Sequence, residues 1–519
     1  MRWRTRMAGV LRRGLAFAAL GGVMATGQAP LGWWWATLIG FGLLLWMLRG
    51  AAAPRVLAAR LFAAGCGYFA VSLNWIVHPF MVEPQIHGWM APFALLAMAA
   101  GMALFWALAG LAAGWLSAGR WLPMALAVTM TLSEMLRGWL FGGFPWAMAG
   151  HAWIGTPVAQ LAAVVGAPGL TLLILTLPAL PFLAQGRGAR AALAAGAIVA
   201  VSIPWFWGAA RLAQPLPDPQ FPLDLRVVQV NAPQHLKWHP EYRWRYFERH
   251  LELTAAIPSP GDPVPDLVIW PETSVPFLLD NPGAGLDSIA AASGDAHVAL
   301  GVQRYEDGGF FNSLALLDPD GAVVNLYDKH HLVPFGEYVP LAEALLGRGH
   351  RGFASQLLDG YSAGEGPVTL DLGRFGRVLP TICYESIFAR HHRLSPRADW
   401  ILQVTNDAWF GNWSGPHQHL AQGRLRAVET GLPMVRAANT GISAVIDARG
   451  GIVAALALNV AGVLDAPLPG ALPPPPYARF GDAPLAMVLA LLLLALGFAG
   501  RRAKRRPEGA IRRLRPARR

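Results

Sequence analysis

Cysteine and charge are both scarce in this chain of 519 residues. There are two cysteines, Cys66 and Cys383, and only 14% of residues are charged against 54% apolar. So few cysteines exclude a disulfide framework, and no C-x-x-C pair is present to suggest a metal site. So little charge on so much apolar sequence excludes an ordinary soluble protein. No small-residue cleavage site separates the first apolar block from the next, so that block is expected to remain rather than be removed as a signal peptide. Internal repeats are also lacking.

The apolar residues are unevenly spread. A bilayer core takes about 20 apolar residues per helix. Candidate spans fall at 8–25, 30–48, 57–77, 92–116, 121–138, 160–185 and 190–209, and a last one at 483–500. The span at 121–138 is the weakest, because it carries Glu134 and Arg137; at i,i+3 near its end they could pair or reach the interface. The expectation is a seven-helix membrane domain over 1–212, a mixed-composition domain over 213–478, an eighth helix at 483–500 and a basic tail over 501–519.

Lysine and arginine are distributed with a bias that sets orientation. Arg2, Arg4, Arg6, Arg12 and Arg13 precede the first span; Arg49, Arg55 and Arg60 follow the second; Arg187 and Arg190 follow the sixth. The tail holds ten basic residues and one acidic one, whereas the loops Thr26–Pro30 and His78–Pro92 hold no Lys or Arg. Both termini are therefore expected in the cytoplasm, and an odd number of spans places 213–478 on the opposite face. The net charge of +11 is then topogenic and suited to anionic lipid, not a nucleic-acid footprint.

Pro215, Pro217, Pro219 and Pro222 form a stiff linker leaving the membrane part, and Pro473 to Pro476 a matching return. Between them, short β-type runs alternate with helical stretches, which predicts an α/β layered core. Strands are expected at Leu225–Val230, Asp266–Trp270, His297–Val302, Ser313–Leu317, Val323–Tyr327, Arg377–Ile382, Trp400–Thr405, Met434–Ala437, Ser443–Asp447 and Ile452–Ala455. Helices are expected at Glu241–Ala256, Gly285–Ser293 and His417–Thr430.

Three of these strands run into chemically loaded residues: Trp270-Pro-Glu-Thr273, Tyr327-Asp-Lys-His330 and Cys383-Tyr-Glu385. Functional groups collect beyond strand ends in α/β sheets. A carboxylate, an ammonium and a thiol brought together there make a base, an oxyanion stabiliser and a nucleophile, which is an acyl-transfer set passing through a thioester. Taken singly, each has an ordinary reading: Cys383 as a small core residue, Glu272 as a turn or capping carboxylate, Lys329 as a solvated charge. Cys66 lies in an apolar stretch, so Cys383 has no plausible disulfide partner. His417 and His419, at i,i+2, are poorly placed to share a metal and read as structural.

The segments Trp270-Pro-Glu-Thr273, Tyr327-Asp-Lys-His-His-Leu-Val-Pro-Phe-Gly-Glu337 and Ile382-Cys-Tyr-Glu-Ser386 resemble the three signatures of the nitrilase superfamily, in its usual order Glu, Lys, Cys. With the flanking apolar helices, the resemblance is closest to the superfamily's membrane-embedded branch, the apolipoprotein N-acyltransferases, and it extends along the whole chain. It implies an extracytoplasmic αββα sandwich joined to about eight membrane helices in a bacterial inner membrane. It also implies Glu272 as general base, Lys329 as oxyanion stabiliser and Cys383 as nucleophile, with Glu337, Tyr384, Glu385 and Trp238 in support and the Phe144-Pro145-Trp146 segment as a family element. The implied reaction moves an acyl chain from a phospholipid, typically phosphatidylethanolamine, through the Cys383 thioester to the α-amino group of a diacylglyceryl-cysteine on an apolipoprotein. No cofactor and no metal are expected. The alternatives are a membrane-bound nitrilase-type amidase, in which water resolves the same thioester, and a transporter with an accessory domain. Seven spans exceed what a tether requires, and ionisable groups within spans are too few for transport.

Overall fold

The computed structural model describes residues 2–50, 53–117, 119–261, 263–338, 360–393 and 396–505. These form two compact units, one from Met1–Asn74, Phe93–Arg211 and Phe480–Arg519, the other from Trp75–Pro92 and Leu212–Arg479. The tail beyond 505 lies outside the described residues.

In the first unit each of the eight apolar stretches contains a helix: Arg2–Ala25, Trp34–Met47, Pro54–Ser72, Ala91–Leu116, Leu122–Arg137, Ala162–Thr176, Arg187–Leu212 and Ala483–Arg505. Among the described residues, five helices are long and apolar enough to cross a membrane by themselves, and a sixth if Pro54–Ser72 is joined with the bent Asn74–Met81 segment. Trp34–Met47 is shorter, at 14 residues, or about 21 Å at 1.5 Å per residue. Small residues let helices Arg2–Ala25 and Pro54–Ser72 touch backbone to backbone. A Cβ on Gly21 would sit 1.9 Å from the Ala64 carbonyl oxygen, and one on Gly67 would sit 1.8 Å from that of Ala18.

Glu134 and Arg137 do not reach an interface. They are 0% and 1% exposed. The Glu134 carboxylate accepts from the Ala149 amide and the Thr171 hydroxyl, each at 3.1 Å, and Arg137 donates to the carbonyls of Phe144 and Trp146. An irregular segment with free backbone groups needs such partners inside an apolar bundle. The two charges brace Phe144–Ala149.

The second unit is built on two six-stranded sheets, ordered β12-β1-β2-β3-β4-β5 and β11-β10-β9-β8-β7-β6. The strands are β1 Asp224–Gln229, β2 Leu267–Ile269, β3 His297–Glu306, β4 Gly309–Leu317, β5 Val323–Asp328, β6 Leu370–Asp371, β7 Arg377–Ile382, β8 Trp400–Thr405, β9 Met434–Ala438, β10 Ser443–Ile446, β11 Ile452–Leu456 and β12 Gly462–Pro467. Each sheet has three parallel central strands, β1-β2-β3 and β7-β8-β9, with antiparallel strands outside them. Side chains alternate across the pleat, so one face of each sheet fills the layer between them. Leu225, Val227, Leu267 and Ile269 meet Val378, Ile382, Leu402 and Val404 there. The other faces bury Val228, Val268 and Trp270 with Phe247 and Ile289 from helices Arg243–Thr254 and Gly285–Ser293, and Leu379 and Ile401 with Leu420 and Ala427 from helix Ser414–Thr430. This is the expected αββα sandwich. Two edge strands, β6 and β12, were not predicted: β6 has two residues, and β12, with Gly462 and Pro467 at its ends, lacks a strong apolar alternation.

Candidate active site

Glu272, Lys329 and Cys383 each stand one to three residues beyond a strand end, after β2, β5 and β7. Cys383 has φ +53°, a backbone region that an L side chain adopts at a cost of order 1–3 kcal/mol. That turn takes the chain from β7 straight into the short helix Cys383–Ile387. Thr273, beside Glu272, also has positive φ, at +46°.

All three side chains are buried, at 6%, 1% and 7% exposure respectively. Glu272 Oε1 lies 3.7 Å from Lys329 Nζ and accepts from Asn312 Nδ2 at 2.7 Å. Its Oε2 accepts from the Asn406 amide at 2.8 Å. Lys329 Nζ donates to Glu337 Oε1 at 2.7 Å, while Glu337 Oε2 accepts from the Val333 amide at 2.8 Å. One ammonium thus sits between two carboxylates. Burial disfavours its charge, but Glu337, Glu272 and Cys383 override that and raise the Lys329 pKa. Burial pushes Glu337 up against the opposing pull of Lys329. The Cys383 thiol is pushed well above its ordinary value, first by burial and then by Glu272, with Lys329 and a hydrogen bond to Thr405 opposing. Cys383 thus rests as a thiol within electrostatic reach of both Glu272 and Lys329.

The supporting residues divide. Glu337 joins the cluster directly. Glu385 does not: its carboxylate accepts from the amides of Ile382 at 2.8 Å, His330 at 2.8 Å and His331 at 3.1 Å, tying the Lys329 loop to the Cys383 turn. Tyr384 is buried with its ring 5.6 Å from His331 and 5.0 Å from Phe388. Trp238, half-buried, packs its ring 5.3 Å from the Lys237 ammonium.

Lys237 escaped sequence reasoning. It is 5% exposed and donates to the Glu272 carbonyl and the Thr273 hydroxyl, each at 3.0 Å, so it holds the turn that carries Glu272. Burial pushes its pKa down to about 8, against a smaller upward effect of Glu272. Asn312 was missed too; nothing local distinguishes it, because its role arises from β4 pairing beside β5. Behind Cys383, His419 is fully buried and bridges Asp407 Oδ1 at 2.9 Å, Ser386 Oγ at 3.0 Å and the Cys383 carbonyl at 3.2 Å. Arg436 donates to the other Asp407 oxygen. This agrees with the structural reading of His419 and ties Asp407 to the Cys383 turn.

Phe410 packs against the sandwich core, with its ring 4.8 Å from Trp75 and 5.6 Å from His419. Gly411 follows with φ +69°, and a Cβ there would fall 2.3 Å from the His78 ring. The Trp75–Pro92 segment therefore closes over this part of the same unit.

Comparison with known proteins agrees with the geometry. Residues 20–180 match the family model "Apolipoprotein N-acyltransferase N-terminal domain", and 225–472 match "Carbon-nitrogen hydrolase". An apolipoprotein N-acyltransferase of Rhizobium meliloti is 41% identical over 490 residues, covering 90% of this chain and 92% of its own. The Caulobacter vibrioides protein of that name is 40% identical over 483 residues, covering 88% and 89%. That of Rhodopseudomonas palustris is 35% identical over 529 residues, covering 96% of each. The chain is a membrane protein with a carbon-nitrogen hydrolase domain, and it belongs to the apolipoprotein N-acyltransferase family.

Proposed function

We propose that this enzyme N-acylates apolipoproteins in two steps through a Cys383 thioester. The observation that carries this reading is the convergence of Glu272, Lys329 and Cys383 from three strand ends, in a chain with apolar helices on either side. In the first step the Cys383 proton passes to Glu272, and Sγ attacks the ester carbonyl of a phospholipid, with phosphatidylethanolamine as the expected donor. The oxyanion forms beside the Lys329 ammonium, which is held charged by Glu337. Collapse breaks the ester C–O bond, and the proton returned from Glu272 leaves with the lysophospholipid. In the second step the α-amine of a diacylglyceryl-cysteine attacks the thioester, Glu272 takes a proton from the nitrogen, and the Cys383 thiol is restored. Removal of one oxyanion donor costs about 10²–10³ in rate where this has been measured, the scale expected of Lys329.

The arginine bias supports a bacterial inner-membrane location with both termini cytoplasmic and residues 213–478 periplasmic. Both substrates are lipid-anchored, so a site carried on membrane helices meets them at high local concentration. The test is incubation of membranes carrying the protein with acyl-labelled phosphatidylethanolamine and a diacylated lipopeptide. Labelled triacylated peptide is expected, and none with Cys383→Ala. Release of free fatty acid without peptide acylation would instead favour the amidase-type hydrolase.

A further inference from the structure

The acyl-transfer cluster leaves a group of imidazoles beside it without a task. His330 and His331 follow Lys329 directly, and His391 lies on the short helix Ala389–His392 beyond the Cys383 turn. Ring nitrogens of these three lie within 4.8 Å of one another. The His330 and His391 ring centroids are 4.6 Å apart, and those of His331 and His391 5.0 Å. His391 is 8% exposed, and the His330 side chain 10%. Among the described residues, His330 Nε2 and His391 Nδ1 are buried with no hydrogen-bond partner. Leaving a buried polar atom unsatisfied costs about 1–3 kcal/mol, and here two such atoms face one small volume.

A neutral imidazole nitrogen with a free lone pair is a good ligand for a metal ion. The far side of His330 is also arranged for that role. Its Nδ1 is 2.7 Å from Glu385 Oε1 and 2.8 Å from the Tyr327 hydroxyl. An Nδ1–H donated to that carboxylate leaves Nε2 with a bare lone pair, the carboxylate–histidine–metal relation found around metal centres. Glu385 is completely buried, and its carboxylate lies within electrostatic reach of Lys329. The ring of His331 is fixed by stacking on Phe388 at 4.1 Å.

We propose that His330, His331 and His391 form a binding site for a divalent transition-metal ion of the zinc class, with His330 Nε2 and His391 Nδ1 as ligand atoms and a water in the fourth position. An all-imidazole donor set suits zinc, copper or nickel and not calcium or magnesium. Tetrahedral Zn–N bonds of about 2.0–2.1 Å set ligand nitrogens about 3.3 Å apart, so the three must draw together from separations of up to 4.8 Å. Such an ion would clamp the Lys329 loop to the segment after Cys383, parallel to the Glu385 carboxylate. It takes no part in acyl transfer.

The experiment uses full-length protein in detergent, with any histidine tag removed and metal stripped by chelator. Cobalt(II) serves as the spectroscopic probe, and zinc is titrated in competition. The expected result is one cobalt per chain with the intense visible absorption of a tetrahedral site, bleached by one equivalent of zinc. His391→Ala and His330→Ala should each weaken binding at least 10-fold, whereas His392→Ala, adjacent but outside the set, should leave it unchanged. Cobalt binding without a tetrahedral spectrum, or no cobalt retained by the parent protein, would overturn the proposal whatever the variants do. So would a folded His391→Ala protein that binds as tightly as the parent.

Discussion

The two units each bury an acid–base pair, and the pairs differ in what surrounds them. Glu134 and Arg137 bond mainly to the backbone of one irregular segment, with Thr171 the added side-chain partner. Glu272 and Lys329 come from different strands, and around them stand a second carboxylate, two asparagines and a thiol. Charge spent on backbone groups fixes conformation. Charge left facing other titratable groups stays available for proton transfer. The contrast separates a structural buried charge from a reactive one more sharply than burial does, since Glu134 and Lys329 are both almost fully buried.

Glu272→Gln puts this contrast under the heaviest strain. Loss of a general base costs typically 10²–10⁴ in rate, so acyl-enzyme formation, followed by intact mass, should fall by at least 10²-fold while the melting temperature moves little. The matching change in the other unit is Glu134→Gln, which weakens the bonds to Ala149 and Thr171. Leaving buried hydrogen-bond donors poorly satisfied costs about 1–3 kcal/mol, so this variant should lose thermal stability yet retain near-parental transfer per folded molecule. If Glu134→Gln were stable but inactive, or Glu272→Gln unstable but active, the distinction would collapse.

A smaller effect tests Lys237, whose ammonium holds the Glu272 turn. Its folded pKa of about 8 lies below an unfolded value of about 10.4. The sign follows: burying the ammonium costs stability below about pH 8, and that cost is relieved as pH rises through 8 toward 10.4. The hydrogen bonds of the charged form weaken over the same range. Transfer should therefore decline on an alkaline limb near pH 8 even as the protein grows more stable. Lys237→Met should run at roughly a tenth of the parental rate with that limb absent; a limb unchanged in the variant would remove Lys237 from the account.

These residues also mark how far the amino-acid order could be read. The strands β7 and β8 were predicted residue for residue because largely apolar runs ended in polar punctuation, Cys383-Tyr384-Glu385 and Asn406-Asp407. Glu272, Lys329 and Cys383 were visible because each follows such a run. Asn312 and Lys237 were not, since their partners lie 40 and 35 residues away and are set by strand pairing and loop packing. Glu385 was singled out beside Cys383, but its true partners, the amides of His330 and His331, belong to a loop some 54 residues earlier. The sixteen-residue helix Leu122–Arg137 shows the same limit from the other side. Its charges looked like flaws in a span until the backbone they brace was seen.

The mildest prediction concerns the resting thiol. Cys383 is held protonated by burial first and by the Glu272 charge second, against Lys329. Glu272→Gln removes one of the raising influences, leaving burial and Asp407, and keeps the lowering ones, Lys329 and the Thr405 hydrogen bond, in place. The thiol pKa must then fall, and more thiolate is present at any pH below it. Alkylation by iodoacetamide at pH 8 should be slow in the parent protein and several-fold faster in Glu272→Gln, although acyl transfer in that variant is nearly lost. A residue needed only for packing would move reactivity and turnover in the same direction. Opposite movement is the behaviour of a base that restrains its nucleophile until a carbonyl is in place, and slower alkylation in Glu272→Gln would deny Glu272 that role.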